Sequence, residues 1–309
     1  MRSTFVNTLE KIAWKDKSVF LITADLGFKL FDSFKSNFPE RFINVGVAEA
    51  NMIGVAAGLS LSGKNVYCYS MSSFLTMRCL EQVRIDLCYH NLNVKLIGVG
   101  GGLAYGMEGI THHAVEDISI MRSLANMTVV VPGDPLEAEA TLNESVTYEG
   151  PLFIRLGKDK DPFVHKDIQG FKISKGIVVN EGSDIAVITT GSMLHPSKIV
   201  LEELKNKGLN VTLISMHTVK PLDKVLIEKC SKKAKAIFTI EEHSVIGGLG
   251  SAVAESLMEI GYRGLFRKIA IPNKYCSYIG QAEYLRQKHC LTPHAIINRI
   301  LEEYTQYKS

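Results

Sequence analysis

The sequence predicts an α/β protein of two domains, each built on a mostly parallel β-sheet flanked by helices. Short apolar runs alternate with longer segments of helical period, which is the order typical of parallel sheets. This alternation stops near residue 158 and restarts near residue 177. The 309 residues also suffice for two domains of about 150 residues each.

The predicted first domain, residues 1–158, alternates the two kinds of segment along its whole length. Its strand-like runs are short and apolar: SVFLITAD, NVYCYS, VKLIGVG, MTVVVP and PLFIRLG. Segments of helical period lie between them, including VAEANMIGVAAGLSLSG, FLTMRCLEQVRIDLCYH and PLEAEATLNESVTY. A helix between successive strands lets the strands lie parallel in one sheet.

The predicted second domain, residues 177–309, repeats this order with fewer strands. Its strand-like runs are DIAVITTG, NVTLISM, AKAIFTIEE and FRKIAIP. HPSKIVLEELKNKG, KPLDKVLIEKCSKK and a segment beginning near Gly250 have helical character. Residues 159–176 are polar, contain Pro162 and have no clear period, so we predict a linker there.

Composition excludes several classes of function. The net charge is only +3 and the basic residues are scattered among acids, so a nucleic-acid-binding surface is not indicated. No apolar run is long enough to cross a membrane, and MRSTFVNTLEKIAWKD lacks the apolar core of a signal peptide. The six cysteines form no CxxC pair, which indicates reduced thiols. We therefore expect a cytoplasmic protein without membrane contact.

Two glycine-rich stretches look like nucleotide-binding motifs but do not fit them. GLSLSGKN at 58–65 follows a helical segment and precedes a strand, whereas a phosphate-binding loop has the reverse order. A helix end and a turn explain it better. GVGGGLAYG at 98–106 lacks the third glycine of GxGxxG. Its glycines still indicate a backbone that turns sharply or lies close to another group, and a functional loop and a plain loop both remain open.

Glu49 and His112 are the polar residues best suited to take part in chemistry. Glu49 begins a helix of small apolar residues, so we expect a buried carboxyl that either caps the helix or takes part in proton transfer. His112 and His113 are adjacent, so on a helix they would point about 100° apart and could not chelate one metal ion. We predict no metal ligand in this chain. His112, in a glycine-bounded loop, is better suited to hydrogen bonding or acid-base chemistry.

Five blocks of sequence, in order and in spacing, resemble the C-terminal subunit of split transketolases. They are VGVAEANMIGVAAGLSLSG, SFLTMRCLEQVRIDL, THHAVEDISIMRSLANMTVVVPGDPLEAEA, ISMHTVKPLD and TIEEHSVIGGLGSAVAE. The resemblance spans nearly the whole chain. It implies a pyrimidine-binding domain for thiamine diphosphate followed by a transketolase C-terminal domain. The implied reaction moves a two-carbon ketol unit from a ketose, or a ketose phosphate, to an aldose acceptor.

The resemblance also implies a cofactor-binding set. Glu49 matches the glutamate that hydrogen-bonds the aminopyrimidine ring and promotes loss of the thiazolium proton. Phe74 matches the aromatic residue that stacks on this ring, and Met77 belongs to the wall beside it. Asp25 and Leu26 match strand-end residues that lie against the cofactor.

A second set of positions corresponds to the family's substrate contacts, namely Arg2, Lys29, Gly100, Glu108, His112 and Lys158. His112 matches the histidine near the ketose hydroxyls and is a second candidate catalytic residue. Arg2 and Lys158 match basic residues that bind the substrate phosphate, although Arg155 is near enough in sequence to compete with Lys158.

Several of these positions depart from the family pattern. Gly100 replaces a histidine, Glu108 replaces an aspartate and Lys29 replaces a serine. Met77 and Leu80 replace aromatic residues of the pyrimidine-binding wall. The cofactor contacts are kept while substrate contacts change, so we expect a specialised sugar substrate.

The family's motif for binding magnesium and diphosphate, GDG with a downstream asparagine, has no counterpart here. The nearest string is PGDP at 132–135. The resemblance therefore implies that an N-terminal partner subunit binds Mg²⁺ and the diphosphate, and that activity requires an α2β2 heterotetramer. Three alternatives remain open: a 1-deoxyxylulose-phosphate synthase, a 2-oxo-acid dehydrogenase beta subunit, and a non-catalytic regulatory subunit that kept the fold.

Two further motifs lie in the second domain. GGLG at 247–250 could hold an anion at a helix N-terminus, but tight packing of a helix against a strand is the favoured interpretation. EEH at 241–243 has the residue types of a catalytic site. Because this domain mainly builds the subunit interface in the family that the chain resembles, we assign no chemistry to EEH.

Overall fold

The structure is a computed structural model that describes residues 1–158 and 161–308. Asp159 and Lys160, with which the predicted linker 159–176 begins, lie outside the described residues, as does Ser309. No helix in the described ranges is both long and apolar enough to cross a membrane.

The strands of the described residues form one sheet of seven and one of five. They are β1 (Val19–Thr23), β2 (Phe42–Asn44), β3 (Asn65–Met71), β4 (Val94–Val99), β5 (Thr128–Val130), β6 (Leu152–Leu156), β7 (Ile177–Asn180), β8 (Ile185–Thr189), β9 (Val211–Ser215), β10 (Thr218–Lys220), β11 (Ala236–Ser244) and β12 (Leu265–Ile271).

The helices of the described residues cover the faces of these sheets. They are α1 (Arg2–Lys15), α2 (Asp32–Asn37), α3 (Glu49–Leu61), α4 (Ser72–Met77), α5 (Leu80–Gln82), α6 (Asp117–Ser123), α7 (Pro135–Ser145), α8 (Leu194–Asn206), α9 (Lys224–Ser231), α10 (Leu249–Glu259), α11 (Ala282–Lys288) and α12 (Pro293–Lys308). A π-helical segment, Val83–Tyr89, continues α5.

Both sheets are mostly parallel, which confirms the predicted fold class. The larger sheet has the order β10-β5-β6-β4-β3-β1-β2, and only β10 is antiparallel to its neighbour. The smaller sheet has the order β12-β11-β8-β9-β7, and only β7 is antiparallel. Strand β10 comes from the second half of the chain, so that half completes the first sheet. A strand of three residues is too short to show a hydrophobic period, so the sequence does not predict that the second half of the chain adds a strand to the first sheet.

Burial on both faces explains why the strand-like runs are mostly apolar. Every residue of β4 is buried, and its register places Leu96 beside Cys68 of β3 and Phe153 of β6. Helices α1 and α7 cover one face of this sheet. The core on the other face is continuous with Ile188 and Ile214 of the second sheet, so the two halves share one hydrophobic core.

Glu241 explains the glycine at position 248 of the GGLG motif. Its buried carboxylate accepts hydrogen bonds of 2.7 Å from the backbone N–H groups of Leu249 and Gly250, at the start of α10. A Cβ on Gly248 would lie 2.1 Å from Oε2 of Glu241, so only glycine admits this approach. A Cβ on Gly250 would lie 2.8 Å from Oγ1 of Thr239 in β11 and 2.7 Å from Cδ of Lys268 in β12, so this glycine does let the helix pack tightly against the strands, and the helix N-terminus holds a side chain of the protein.

Candidate functional site

The predicted site residues lie at the carboxyl edge of the seven-stranded sheet. Parallel strands end on the same side, and in such sheets ligands bind at this edge. The connection after β2 leads to Glu49, β3 leads to Phe74, β4 leads to the glycine-rich loop, and β6 leads to Lys158. The order of strands in the sheet therefore brings together positions that are far apart in sequence.

Glu49 is buried, as the sequence predicts. It is the first residue of α3 and its exposed fraction is 3%. Oε1 accepts a hydrogen bond of 3.3 Å from Oγ of Ser70, and Oε2 lies 3.3 Å from Nη1 of Arg78. Both contacts join the carboxylate to elements outside α3, so it points away from its own helix. This orientation favours a role in the site over simple capping.

Arg78 lies against both Glu49 and Phe74. Phe74 is in α4, and Arg78 follows four residues later on the same side of the helix. The guanidinium carbon of Arg78 lies 3.9 Å from the centroid of the Phe74 ring. The His112 ring approaches Phe74 edge to face, with 5.1 Å between the ring centroids. Met77, on the same helix, is 44% exposed.

The glycine-rich loop is shaped by the approach of Tyr105 to Gly100. Gly100 has a φ of +75°, and a Cβ on it would lie 2.0 Å from Cε2 of Tyr105. The Tyr105 ring thus fills the space beside Gly100. It lies 6.4 Å from the His112 ring, and Nζ of Lys158 lies 4.8 Å from its centroid.

The two histidines of the loop have different surroundings. His112 is partly exposed, and its Nδ1 lies 2.9 Å from Oγ1 of Thr111. His113 is buried, and burial lowers its pKa, which favours the neutral ring. Glu108 is exposed in a 3₁₀ turn between Tyr105 and His112. In the described ranges, no group of three or more His, Cys, Asp or Glu side chains is arranged to bind a metal ion.

Arg2 and Lys158 are neighbours, but Arg155 is part of a different structure. The backbone N–H of Arg2 donates to the carbonyl oxygen of Lys158 at 3.4 Å. Arg155 is buried, and its Nε lies 2.7 Å from Oδ2 of Asp117. Its Nη2 also donates to the carbonyl oxygens of Ala114 and Glu242. Of the two basic residues, Lys158 is exposed and Arg155 is buried.

The segment after β1 lies one strand further along the same edge. The side chain of Asn44 donates to Oδ1 of Asp25 and accepts from its backbone N–H, both at 3.0 Å. The backbone N–H of Leu26 donates to Oγ1 of Thr23 at 3.2 Å. Asp25 and Lys29 have positive φ angles and line a cleft of about 370 Å³ with Leu26.

Sequence reasoning missed Ser70, Arg78 and Tyr105. Arg78 carries a detectable signal, since a residue four positions after Phe74 on a helix shares its face. Ser70 is the last residue but one of β3, at the edge where ligands bind in parallel sheets. Nothing in the sequence alone indicates that Tyr105 fills the space beside Gly100.

Comparison with known proteins agrees with this fold. The profile of the transketolase pyrimidine-binding domain matches residues 1–162, and that of the transketolase C-terminal domain matches residues 174–296. A two-domain fold of this kind defines one half of a transketolase-type enzyme. The chain belongs to the transketolase family, whose members depend on thiamine diphosphate.

Three relatives illustrate the range of this similarity. The 6-deoxy-6-sulfo-D-fructose transketolase subunit SqwH of Clostridium sp. strain MSTE9 is 35% identical over 318 residues, which cover 100% of this chain and 95% of that protein. The solved structure of a split gene transketolase, described as an inactive beta4 tetramer, superposes with a TM-score of 0.89 at 34% identity and covers 99% of this chain and 98% of that one. The 1-deoxy-D-xylulose-5-phosphate synthase of Shouchella clausii is 35% identical over 97% of this chain, which spans 48% of that protein.

Proposed function

We propose that this chain is the C-terminal subunit of a two-chain transketolase. With an N-terminal partner subunit and thiamine diphosphate, it would move a two-carbon ketol unit from a ketose to an aldose. The observation that carries the proposal is the buried carboxylate of Glu49, which Arg78 links to the Phe74 ring at the ligand-binding edge of the sheet.

The residues around Glu49 and Phe74 fit an aminopyrimidine ring. Such a ring needs an apolar surface for its face and an acceptor for a hydrogen bond at its edge. The guanidinium of Arg78, also planar and rich in N–H groups, already contacts both Phe74 and Glu49, so a flat group has room there. We assign Glu49 as the hydrogen-bond partner of the ring, Phe74 as its stacking surface and Met77 as part of its wall.

When bound, thiamine diphosphate would supply the carbon nucleophile needed at the ketose carbonyl. The residues of this chain bind the cofactor and the sugar and control protons around them. The buried carboxyl of Glu49 holds the proton shared with the aminopyrimidine. His112, beside Phe74 and partly exposed, is placed to exchange protons with sugar hydroxyls. Asp25 and Leu26 would complete the cofactor contacts from the adjacent strand end.

The basic residues at the edge suit a substrate with an anionic end. Arg2 and Lys158 are neighbours, and we assign them to a terminal phosphate or sulfonate. Lys29 and Glu108 are exposed at the same edge, where we place further substrate contacts. Since the Clostridium relative is named for a sulfonated ketose, and since Gly100 lacks the family's histidine, a sulfonated or otherwise unusual ketose is our preferred donor.

The partner subunit is part of the proposal. We assign the binding of Mg²⁺ and the diphosphate to an N-terminal subunit that carries the GDG motif, within an α2β2 heterotetramer. In the described residues of this chain, the acids at the site edge are spread over separate loops, which is unlike a magnesium site.

Reconstitution with the partner tests the reaction. The two subunits, alone and mixed, would be supplied with thiamine diphosphate, Mg²⁺ and an aldose phosphate acceptor. We expect ketol transfer only from the mixture, with a sulfonated ketose or a ketose phosphate as donor. Release of carbon dioxide from pyruvate would instead favour the synthase or dehydrogenase alternative. A mixture that binds the cofactor without any turnover would favour a regulatory subunit.

A further inference from the structure

Arg78 contacts both Phe74 and Glu49, the two side chains that the proposed function assigns to the aminopyrimidine ring. Its guanidinium carbon lies 3.9 Å from the centroid of the Phe74 ring, so the flat group covers one face of the ring. At the same time Nη1 lies 3.3 Å from Oε2 of Glu49. A planar cation therefore has an aromatic face on one side and a buried carboxylate at its edge.

An aminopyrimidine ring in the proposed site requires the same two contacts. It would stack on Phe74 and direct a ring nitrogen toward Glu49. Each of the two groups must also contact Glu49, and this requirement determines which face of Phe74 it can stack on. The guanidinium of Arg78 and the aminopyrimidine ring therefore compete for the same space. We propose that Arg78 is an internal ligand that occupies the aminopyrimidine position in the cofactor-free chain and leaves it when thiamine diphosphate binds.

The charge of Glu49 explains why such an internal ligand is useful. A carboxylate that is 3% exposed is costly without a partner, and Arg78 supplies an opposite charge while no cofactor is present. Arg78 itself is 49% exposed and has a long flexible side chain, so it can swing into solvent without disturbing the core. The chain would thus keep its binding surface ordered before the cofactor binds.

Competition has a measurable consequence for affinity. If only a fraction of molecules has Arg78 turned away, the apparent dissociation constant for the cofactor rises by the inverse of that fraction. This inference rests on the proposed function, because it concerns the same aminopyrimidine site. A permanent structural role for Arg78 predicts the opposite, namely that its loss weakens cofactor binding.

The affinity of the reconstituted complex for thiamine diphosphate tests the competition. Arg78→Ala should bind the cofactor at least about fivefold more tightly than wild type, and with a faster association rate. Arg78→Lys should lie between them, because lysine keeps the charge but cannot stack as a flat group. Arg84→Ala removes an exposed arginine six residues further along and should match wild type. Unchanged or weaker binding by Arg78→Ala would overturn the inference.

A double-mutant cycle gives a readout that is independent of turnover. Urea unfolding of the cofactor-free full-length chain, with Arg78→Lys, Glu49→Gln and both changes, should show coupling between the two positions. The same four proteins would then be compared for cofactor affinity in the complex with the partner. Arg78→Lys should strengthen cofactor binding in the wild-type background but not in the Glu49→Gln background. Independent effects in both experiments would reject the internal ligand. If the wild-type complex itself fails to bind thiamine diphosphate, the proposed function fails as well.

Discussion

The carboxylate of Glu242 accepts a hydrogen bond of 2.8 Å from the backbone N–H of Leu103. Its other oxygen pairs with Nε of Arg286 in α11. Glu242 lies in β11 of the second sheet, whereas Leu103 belongs to the glycine-rich loop of the first. A Cβ on Gly102 would lie 2.3 Å from Oε1 of Glu242, which explains a glycine there. The second half of the chain therefore helps to hold the loop that carries Tyr105 and His112.

Replacement of Glu242 should destabilise the protein and loosen this loop. Glu242→Ala leaves the buried N–H of Leu103 without its acceptor and Arg286 without its partner, so we expect a loss of about 3–5 kcal/mol in the free energy of unfolding. Glu242→Gln keeps an acceptor oxygen and should lose less. Urea unfolding of both variants measures the difference. Equal stability of Glu242→Ala and wild type would show that the contact does not anchor the loop.

The contact between Gly100 and Tyr105 predicts a paired effect. Gly100→Ala adds a Cβ where φ is +75° and where the Tyr105 ring lies 2.0 Å away. We expect a loss of about 2–4 kcal/mol from backbone strain and the displaced ring. In the double variant, Tyr105→Ala should recover the part of this loss that comes from the clash with the ring, but not the part that comes from backbone strain. Thermal unfolding of the single and double variants checks this, and strict additivity of the two changes would contradict it.

Part of this structure could be predicted from the sequence, for identifiable reasons. Strands such as β8 are buried along their whole length, so their apolar runs are continuous and easily recognised. The burial of Glu49 follows from its small apolar neighbours in α3. By contrast, β10 is three residues long, and its pairing with β5 depends on contacts between distant parts of the chain.

The functional surroundings of Glu49 were harder to predict. Arg78 has the spacing that places it beside Phe74, but its pairing with Glu49 depends on how α3 and α4 pack. The EEH and GGLG motifs offered chemical interpretations, yet Glu241 and Glu242 bind backbone N–H groups. Local patterns indicate residue chemistry, whereas the partner of each polar group is set by the tertiary fold.

Lys95 provides a prediction about pH. It is fully buried in β4, where Nζ donates to the carbonyl oxygen of Tyr148 and to the side chain of Asn93. Burial lowers the pKa of Lys95 from 10.5 to about 7. Between these two values the unfolded chain holds a proton that the folded chain has lost, so this residue makes stability rise with pH.

Lys95→Met should therefore be more stable than wild type at pH 7, by roughly 3 kcal/mol after allowing for the lost hydrogen bonds. The difference should shrink as pH rises from 7 toward 10.5, because the lysine of the unfolded chain then also loses its proton and folding no longer has to remove it. Urea midpoints from pH 6 to 10 measure this, with the exposed Lys207→Met as a control. A difference that is independent of pH would refute the lowered pKa of Lys95 in the folded chain.

In the proposed function, Glu49 exchanges a proton with the aminopyrimidine of thiamine diphosphate. Glu49→Gln keeps the size of the side chain but cannot hold the proton, so we expect the reaction step that depends on it to slow by about 10²- to 10⁴-fold. The direct measurement is the exchange of the thiazolium C2 proton for deuterium by NMR, in the complex with the partner subunit and with cofactor binding verified separately. We predict that this exchange slows to that extent in Glu49→Gln while the cofactor remains bound. Exchange at the wild-type rate in a cofactor-loaded Glu49→Gln complex would contradict the proposed role of Glu49 in proton exchange.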